Sequence, residues 1–273
     1  MESRYKKYLL YGFNLILGLI IIMPILYGLS ISLMDQSEIF SYPPKLIPRS
    51  ITLENYENVI SSVPIFKFIG NSLFVSLVVT IGQIVTSCLA AYAFSYFDFS
   101  GRKFLFVLSL STLMIPSEST IIANYLIIAK FGLSDTYTGL IVPFLVSAMG
   151  IFLIRQFYLT VPKELKEASR LDGCSNFRFF IKVLVPISKP VMSSLGIYTF
   201  LNTWNQYMWP LLVTNAPEKR TVQIGISMLQ FAESQNIGLV FAGVIMIIVP
   251  SIVIFIIGQK QLVKGITAGA VKG

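Results

Sequence analysis

The feature that most constrains this sequence is a series of long stretches without a charged residue. Five of them contain between 19 and 30 residues: Tyr8–Met34, Phe68–Phe97, Thr136–Ile154, Pro190–Pro217 and Ser234–Gln259. An α-helix needs about 20 residues to cross the roughly 30 Å hydrocarbon core of a bilayer, and each ionised side chain at its centre costs about 2.5–3.5 kcal/mol. Only 12% of the residues are charged, about half the share in soluble domains. The stretches therefore predict membrane-spanning helices rather than a water-soluble globule.

A sixth stretch is long enough to span but carries Glu118 just after Pro116, so its outer half is the least regular part of the prediction. The predicted spans are residues 9–33, 70–97, 104–128, 136–157, 190–214 and 237–258. A short helix is expected near Leu53–Ile60 in the proline-containing loop after the first span. No linker or repeat divides the chain, so we expect an all-α integral membrane protein with one domain, residues 1–273.

The distribution of positive charge predicts the orientation of these spans. If six spans alternate across the membrane, 15 of the 21 Lys and Arg residues lie on one side. Loops rich in Lys and Arg stay in the cytoplasm. Both termini are therefore expected to be cytoplasmic.

The residues that are missing exclude most catalytic functions. The chain has no His, which excludes Ser/His/Asp and Cys/His nucleophile systems and His-ligated metals. Cys88 and Cys174 do not suggest a disulfide framework. No Gly-x-x-x-x-Gly-Lys-Ser/Thr phosphate loop is present, so ATP hydrolysis would have to belong to another polypeptide. A membrane enzyme is disfavoured, and no metal site is expected.

Seven of the fifteen inside-facing positive charges lie between Arg155 and Lys189, around the loop of residues 160–186 that joins the fourth and fifth spans. Its pattern predicts two short helices. The first begins after Pro162, carries an apolar stripe of Leu165, Ala168 and Leu171, and ends at Gly173. Ser175 would cap the second, which is predicted to stop before Pro186. The residues alone leave two interpretations open: a docking site for a protein partner, or an amphipathic loop lying on anionic lipid headgroups.

The same loop carries a resemblance to a known family. It resembles the Glu-Ala-Ala, Gly, Ile-x-Leu-Pro signature of permease subunits of ATP-binding-cassette (ABC) importers. The matching residues are Glu167-Ala168-Ser169, then Asp172-Gly173, then Val183-Leu184-Val185-Pro186. Ser169, Val183 and Val185 depart modestly from that signature. Met114–Glu118, Trp204–Pro210 and Gly265–Gly273 are also similar to carbohydrate-type permeases of the maltose and glycerol-3-phosphate kind.

The resemblance implies a type I importer permease (MetI-like) fold of six transmembrane helices. It also implies that the 160–186 loop couples to a separate ATPase. The residues implied in this coupling are Glu167, Ala168, Ser169, Asp172, Gly173 and Pro186. The implied partners are a second permease, two ATPase subunits that bind ATP and Mg, an extracytoplasmic solute-binding protein and membrane lipid. The chain itself would hold no cofactor, and no nucleic-acid partner is expected.

Polar residues near the outer end of the fifth span indicate a translocation path. Asn202, Asn205, Gln206 and Trp209 follow helical spacing, which predicts that they share one face, and amides in a span should face protein or water. Amides with an aromatic ring suit polyhydroxylated ligands. Two alternatives remain open: an aromatic belt at the headgroups for Trp209, and interhelical bonds to a partner permease for the amides. Glu118 could line the path or reach the outer headgroups.

These observations predict the permease subunit of a bacterial importer in the cytoplasmic membrane, translocating a sugar or related polyol of the oligosaccharide or glycerol-3-phosphate class. The absence of Lys and Arg deep within the spans slightly favours an uncharged sugar. The alternative is an ion-coupled secondary transporter, which would need an ionisable relay or broken paired helices near the midplane. Glu118 alone is thin support for it.

Overall fold

A computed structural model describes residues 4–232 and 236–270, with side chains for 6–230 and 236–259. Within these ranges the chain forms helices and no strand. The helices are α1 (Arg4–Ser32), α2 (Gln36–Ile39), α3 (Glu54–Ser62), α4 (Ile65–Tyr96), α5 (Arg102–Ser111), α6 (Ser117–Lys130), α7 (Tyr137–Ile141), α8 (Ala148–Thr160), α9 (Lys163–Leu171), α10 (Asn176–Phe179), α11 (Val185–Ile187), α12 (Lys189–Trp204), α13 (Met208–Val213), α14 (Val222–Ala232) and α15 (Ile237–Ala270). Short 3₁₀ turns cover Thr112–Met114, Val142–Phe144 and Pro217–Lys219, and a π-helical turn covers Phe180–Leu184.

The predicted spans fall on two kinds of helical element in the described residues. Three helices, α1, α4 and α15, are long and apolar enough to cross a membrane alone. The predicted spans 104–128, 136–157 and 190–214 fall instead on broken segments, which meet the same criterion as bent helix pairs. Counting each pair as one span gives six. The short helix predicted near Leu53–Ile60 is present as α3.

The third predicted span is not one continuous helix. The helical segments Arg102–Met114 and Ser117–Lys130 meet at an angle of 103°. Proline has no N–H and disfavours the helical conformation of the residue before it, and Ile115 before Pro116 is extended, with φ −90° and ψ 115°. The break lies at Pro116, where the sequence predicted an irregular span. The angle of 103° between the two helical segments is larger than a proline kink within one span would give.

The fourth and fifth spans are also broken. Tyr137–Phe144 and Ala148–Thr160 are bent by 45°, and Asn176–Ile187 and Lys189–Trp204 by 73°. The predicted fifth span, 190–214, further divides into α12 and α13. The structure thus divides each of the predicted spans 136–157 and 190–214 into two helical segments, and the backbone carbonyl groups freed at the breaks need partners elsewhere.

The contacts divide the chain into two compact units. One comprises the residues up to Phe66 together with Gly225–Val249. Within it, the apolar window of α1 has no buried residue, as expected for a helix surrounded by lipid or by another chain. The loop after α1 is ordered by buried polar groups. Asn55 Nδ2 donates to the carbonyls of Ser32 and Met34 at 3.1 and 2.8 Å, and Glu38 accepts the N–H of Arg49 at 3.2 Å.

The other unit comprises Lys67–Ile224 and the described residues from Pro250 onward. Two hydrophobic clusters lie along α4 within this unit. Towards the C-terminal end of α4 the buried members are Cys88, Ala91, Tyr92, Ile154, Tyr158, Phe179, Phe180, Leu184, Val191 and Leu195. Towards its beginning they are Val75, Val79, Ile128, Leu140, Ile141, Trp209 and Val213. The unbroken helix α4 thus contacts both the 160–186 loop and the opposite end of this unit.

Side chains of α4 satisfy the carbonyls freed by the bend in the fourth span. Gln83 Nε2 donates to the carbonyl of Phe144 at 2.8 Å, and Thr86 Oγ1 donates to that of Leu145 at 2.8 Å. The side-chain oxygen Oε1 of Gln83 in turn accepts the hydroxyl of Thr199 on α12 at 2.8 Å. An unpaired backbone N–H or C=O group in the hydrocarbon core carries a large free-energy cost. One amide therefore joins α4, the broken fourth span and α12.

Near the N-terminal end of α4, polar contacts join the loop before α7 to the loop after α13. Asn71 Nδ2 donates to the carbonyls of Glu218 and Arg220 at 2.9 and 2.8 Å. The Tyr137 hydroxyl donates to the side-chain oxygen Oδ1 of Asn71 at 2.7 Å. Asp135, with φ 56°, accepts the backbone N–H groups of Ala216 and Asn215. These donors hold the pKa of the Asp135 carboxyl below its ordinary value of 3.8.

Replacing Gln83 by Leu is expected to lower the free energy of unfolding by about 1–3 kcal/mol, because the Phe144 carbonyl loses its donor. Thermal unfolding in detergent measures this. Gln259→Leu removes an exposed amide that bonds the Ile256 carbonyl of its own helix and should change stability little. Equal melting temperatures for Gln83→Leu and the wild type would contradict the assigned role.

Asp135→Asn is expected to lower the melting temperature modestly at pH 7, because a neutral oxygen accepts the two N–H groups more weakly than a carboxylate. A carboxyl with a lowered pKa stabilises the fold above its ordinary pKa, and this contribution disappears as the pH falls through the lowered value. The difference between variant and wild type should therefore shrink when unfolding is measured at acidic pH. Glu57→Gln, an exposed carboxyl on α3, is the control, and a difference that stays constant with pH would refute the prediction.

Candidate functional site

The first helix of the 160–186 loop ends in a well-defined turn. Helix α9 begins after Pro162 and ends at Leu171. Beyond it, the N–H of Cys174 donates to the Ser169 carbonyl at 2.8 Å and that of Gly173 donates to the Arg170 carbonyl at 3.0 Å. This is the Schellman pattern, which requires a left-handed residue just past the helix, and Gly173 has φ 72°. The predicted role of Gly173 in ending the helix is confirmed.

The second helix starts as predicted but does not stop before Pro186. Ser175 Oγ accepts the N–H of Arg178 at 3.2 Å, capping α10. The chain then continues helically through the π turn and α11 to Ile187, so the predicted stop was wrong. The N–H of Val185 bonds the carbonyl of Phe180, five residues earlier. The wider turn carries the chain past a proline that has no N–H to donate.

The apolar stripe of α9 is exposed among the residues that the structure describes. Leu165 is 43% exposed and Leu171 is 90% exposed, and Ala168 between them is also exposed. Phe177 on α10 adds a further ring that is 70% exposed. An isolated exposed leucine is ordinary, but a cluster of apolar side chains on a charged loop marks an interaction surface.

The residues implied in coupling divide between two faces. Glu167, Ala168, Asp172, Gly173 and Pro186 are exposed. Ser169 faces the other way: it is 8% exposed, and its hydroxyl donates to the Lys166 carbonyl at 2.8 Å. Five of the six residues therefore lie on surface that a partner can reach, while Ser169 belongs to the packed side of α9.

Aromatic side chains pack the second helix of the loop against α4. Phe179, Phe180 and Leu184 are buried in the cluster at the C-terminal end of α4. The Tyr92 ring stacks on Phe180 with centroids 5.0 Å apart, and its hydroxyl donates to the Asn176 carbonyl at 2.9 Å. The loop therefore presents its exposed face from a base packed against α4.

Sequence reasoning missed the main polar attachment of α9, which is Lys166. Its ammonium group donates to the Tyr96 carbonyl at 3.0 Å and lies 5.1 and 5.6 Å from the ring centroids of Tyr96 and Phe97. Burial lowers the pKa of Lys166, and the positive charge of Arg170 lowers it further while Asp98 opposes this. One signal was present: Lys166 and Ser169 are three residues apart, on the side of α9 away from its apolar stripe.

The four polar residues of the predicted path do not share one helical face. Helix α12 ends at Trp204, and Asn205 lies at its C-cap. Asn202 and Asn205 are exposed, and their amide nitrogens donate to the carbonyls of Tyr198 and Leu201 at 2.8 and 2.9 Å. Gln206 is half-buried in the turn that follows. The prediction of a shared face was wrong because it continued the helical spacing past Trp204, where α12 ends.

The assignment of Trp209 to the path was also wrong. Trp209 is 3% exposed, and its indole N–H donates to the Gly139 carbonyl at 3.3 Å. Its ring packs edge-on against Phe144 with centroids 5.8 Å apart. Trp209 is therefore part of the hydrophobic core of its unit, where neither a ligand nor a headgroup belt reaches it.

Glu118 lies in the first turn of α6, directly after the 103° break. It is exposed, and its carboxylate accepts the hydroxyl of Ser117 at 3.1 Å. Because of this break, Glu118 lies on a helical segment whose direction differs by 103° from that of the preceding segment, Arg102–Met114. The structure does not bring Glu118 and the α12 amides into a direct hydrogen bond in the described part of the chain.

Comparison with known proteins identifies the family. Residues 83–265 match the family described as "Binding-protein-dependent transport system inner membrane component". The arabinooligosaccharides transport system permease protein AraQ of Halalkalibacterium halodurans is 34% identical over 265 residues, covering 96% of this chain and 95% of that protein. The sn-glycerol-3-phosphate transport system permease protein UgpE of Brucella suis is 37% identical over 276 residues, covering 97% and 98%.

A solved structure has the same fold. It is that of a bacterial ABC transporter involved in the import of the acidic polysaccharide alginate, with a TM-score of 0.83, 23% identity, and coverage of 95% of this chain and 98% of that one. The expected all-helical importer permease fold is confirmed. The chain belongs to the inner membrane components of binding-protein-dependent transport systems, and it is a permease subunit of an ABC importer rather than an enzyme.

Proposed function

We propose that this chain is one half of a heterodimeric permease that imports a sugar or related polyol, of the oligosaccharide or glycerol-3-phosphate class, across the cytoplasmic membrane of a bacterium. Both termini and the 160–186 loop face the cytoplasm. Two ATPase subunits bind ATP and Mg and drive the transport, and an extracytoplasmic binding protein delivers the substrate. The chain itself holds no cofactor. The names of AraQ and UgpE support the substrate class.

The observation that carries the proposed coupling is the exposed surface of α9 on a loop that packs against α4. Leu165, Ala168 and Leu171 offer apolar area to a partner, and Glu167 offers a carboxylate to a basic group across the contact. Ala168 and Gly173 permit close approach because their side chains are small or absent. Asp172 and Pro186 lie on exposed surface of the same loop. We assign this surface to the ATPase.

The exposed amides of Asn202 and Asn205, with Gln206, are proposed to line the outer part of the path. Each can offer both donors and acceptors to hydroxyl groups. Gln223 extends the polar surface, since its Nε2 lies 3.4 Å from the Asn205 amide oxygen. Glu118 is proposed as a further path residue beyond the break in the third span.

Glu167→Lys is expected to reduce ligand-stimulated ATP hydrolysis at least about tenfold, because a hydrogen bond to a charged group is lost and a like charge replaces it. The importer is reconstituted with its partner permease, ATPase and binding protein. Phosphate release is measured with sn-glycerol 3-phosphate or an arabino-oligosaccharide as the ligand. Glu57→Lys, on α3 outside the loop, is the control. Normal stimulation in Glu167→Lys would remove this residue from the coupling contact.

Asn205→Leu is expected to slow uptake of the transported ligand about 3- to 10-fold, the effect of losing one or two modest hydrogen bonds. Uptake of radiolabelled ligand into proteoliposomes measures this. Recovery of the ATPase with the permease should be unchanged, because Asn205 lies outside the 160–186 loop. Gln259→Leu is the matched amide control. Uptake equal to that of the wild type would exclude Asn205 from the path.

A further inference from the structure

We propose that Lys166 is a positioning residue, which fastens α9 to the C-terminal end of α4 so that a displacement of the 160–186 loop moves that span. The inference rests on the proposed docking of the loop to an ATPase and adds the link by which the displacement leaves the loop. The aromatic packing on α4 holds the second helix of the loop, and Lys166 adds a direct contact between α9 and the same end of α4.

Lys166 binds at the C-terminal end of α4. Tyr96 is the last residue of α4, and the last four carbonyls of a helix have no partner within it. The end of the helix also carries a partial negative charge, which attracts a cation. The ammonium of Lys166 donates to the Tyr96 carbonyl at 3.0 Å and therefore satisfies both demands.

Two aromatic rings lie beside this ammonium group. The Tyr96 and Phe97 ring centroids lie 5.1 and 5.6 Å from Nζ, within the range of cation–π attraction. Lys166 is half-buried, whereas Lys163 and Arg170 on the same helix are exposed. The neighbouring Phe97 carbonyl accepts Arg102 Nη1 at 2.9 Å. The end of α4 is thus capped by one cation from α5 and one from α9.

Helix α4 contacts both helices of the loop within about one turn of its C-terminal end. Tyr92 and Tyr96 are one helical turn apart. Tyr92 donates its hydroxyl to the carbonyl of Asn176 on α10, and Tyr96 accepts Lys166 of α9. Because the two attachments flank the turn at Gly173, force on either helix reaches the same segment of α4. From there, Gln83 continues the connection to α12 through Thr199.

The experiment compares Lys166→Met with Lys166→Arg and Lys163→Met. Methionine retains the length of the stem but loses the donor and the charge, whereas arginine retains both. Lys163→Met removes an exposed charge from the same helix. In the reconstituted importer, with sn-glycerol 3-phosphate or arabinotriose as the ligand probe, we expect Lys166→Met to lose at least about fivefold in ligand-stimulated ATP hydrolysis. Lys166→Arg and Lys163→Met should stay within about twofold of the wild type.

A second measurement reports the link itself. Nitroxides at Leu89 on α4 and at residue 163 on α9, in a background without Cys88 and Cys174, give the distance distribution between the two helices by pulsed electron resonance. We expect one narrow distribution in the wild type, with and without ATP and vanadate, and a broadened one in Lys166→Met. If Lys166→Met does not fold, Lys166→Leu serves, since leucine also has neither donor nor charge, and the same broadening is expected.

The outcomes separate this inference from the proposed function. Failure of the wild-type permease to retain an ATPase would contradict the proposed docking. A distribution in Lys166→Met as narrow as in the wild type would overturn the link whether or not the ATPase binds. Normal stimulation in Lys166→Met with the ATPase retained would likewise overturn it, because the loop would then be coupled through other contacts.

Discussion

The rest of the larger unit depends on one constraint, that backbone carbonyls within a membrane need hydrogen-bond donors. Helix α4 is unbroken, whereas the third, fourth and fifth spans bend by 103°, 45° and 73°. Gln83 and Thr86 supply donors to the bend in the fourth span, and Lys166 supplies one to the end of α4. The bend in the fourth span is stabilised because the unbroken helix α4 provides its polar partners.

This arrangement explains how a chain without catalytic groups serves a transport system that consumes ATP. The 160–186 loop buries one side against α4 and exposes the other, including Leu171 and Phe177. Its two attachments, at Tyr92 and Tyr96, lie close to the C-terminal end of α4. In the proposed function, a push on the exposed side passes to α4 and then, through Gln83, to α12 and its exposed amides.

The sequence was sufficient where a local rule decides the structure. Charge-free stretches predicted the spans, Gly173 predicted the end of α9, and the signature around Glu167 predicted the family. It failed where a distant partner decides. Trp209 fits a helical spacing with Asn202 but lies beyond the end of α12. Lys166 looked like any lysine of a basic loop, since its acceptor is 70 residues away in the sequence.

The central claim is that the exposed face of α9 binds an ATPase, and photocross-linking from position 171 tests it most directly. Leu171 is 90% exposed, so a photoreactive amino acid there should not disturb the fold. In membranes containing the whole importer, the account predicts a cross-linked product of this chain with the ATPase subunit. Products with lipid alone, and none with any protein, would contradict it.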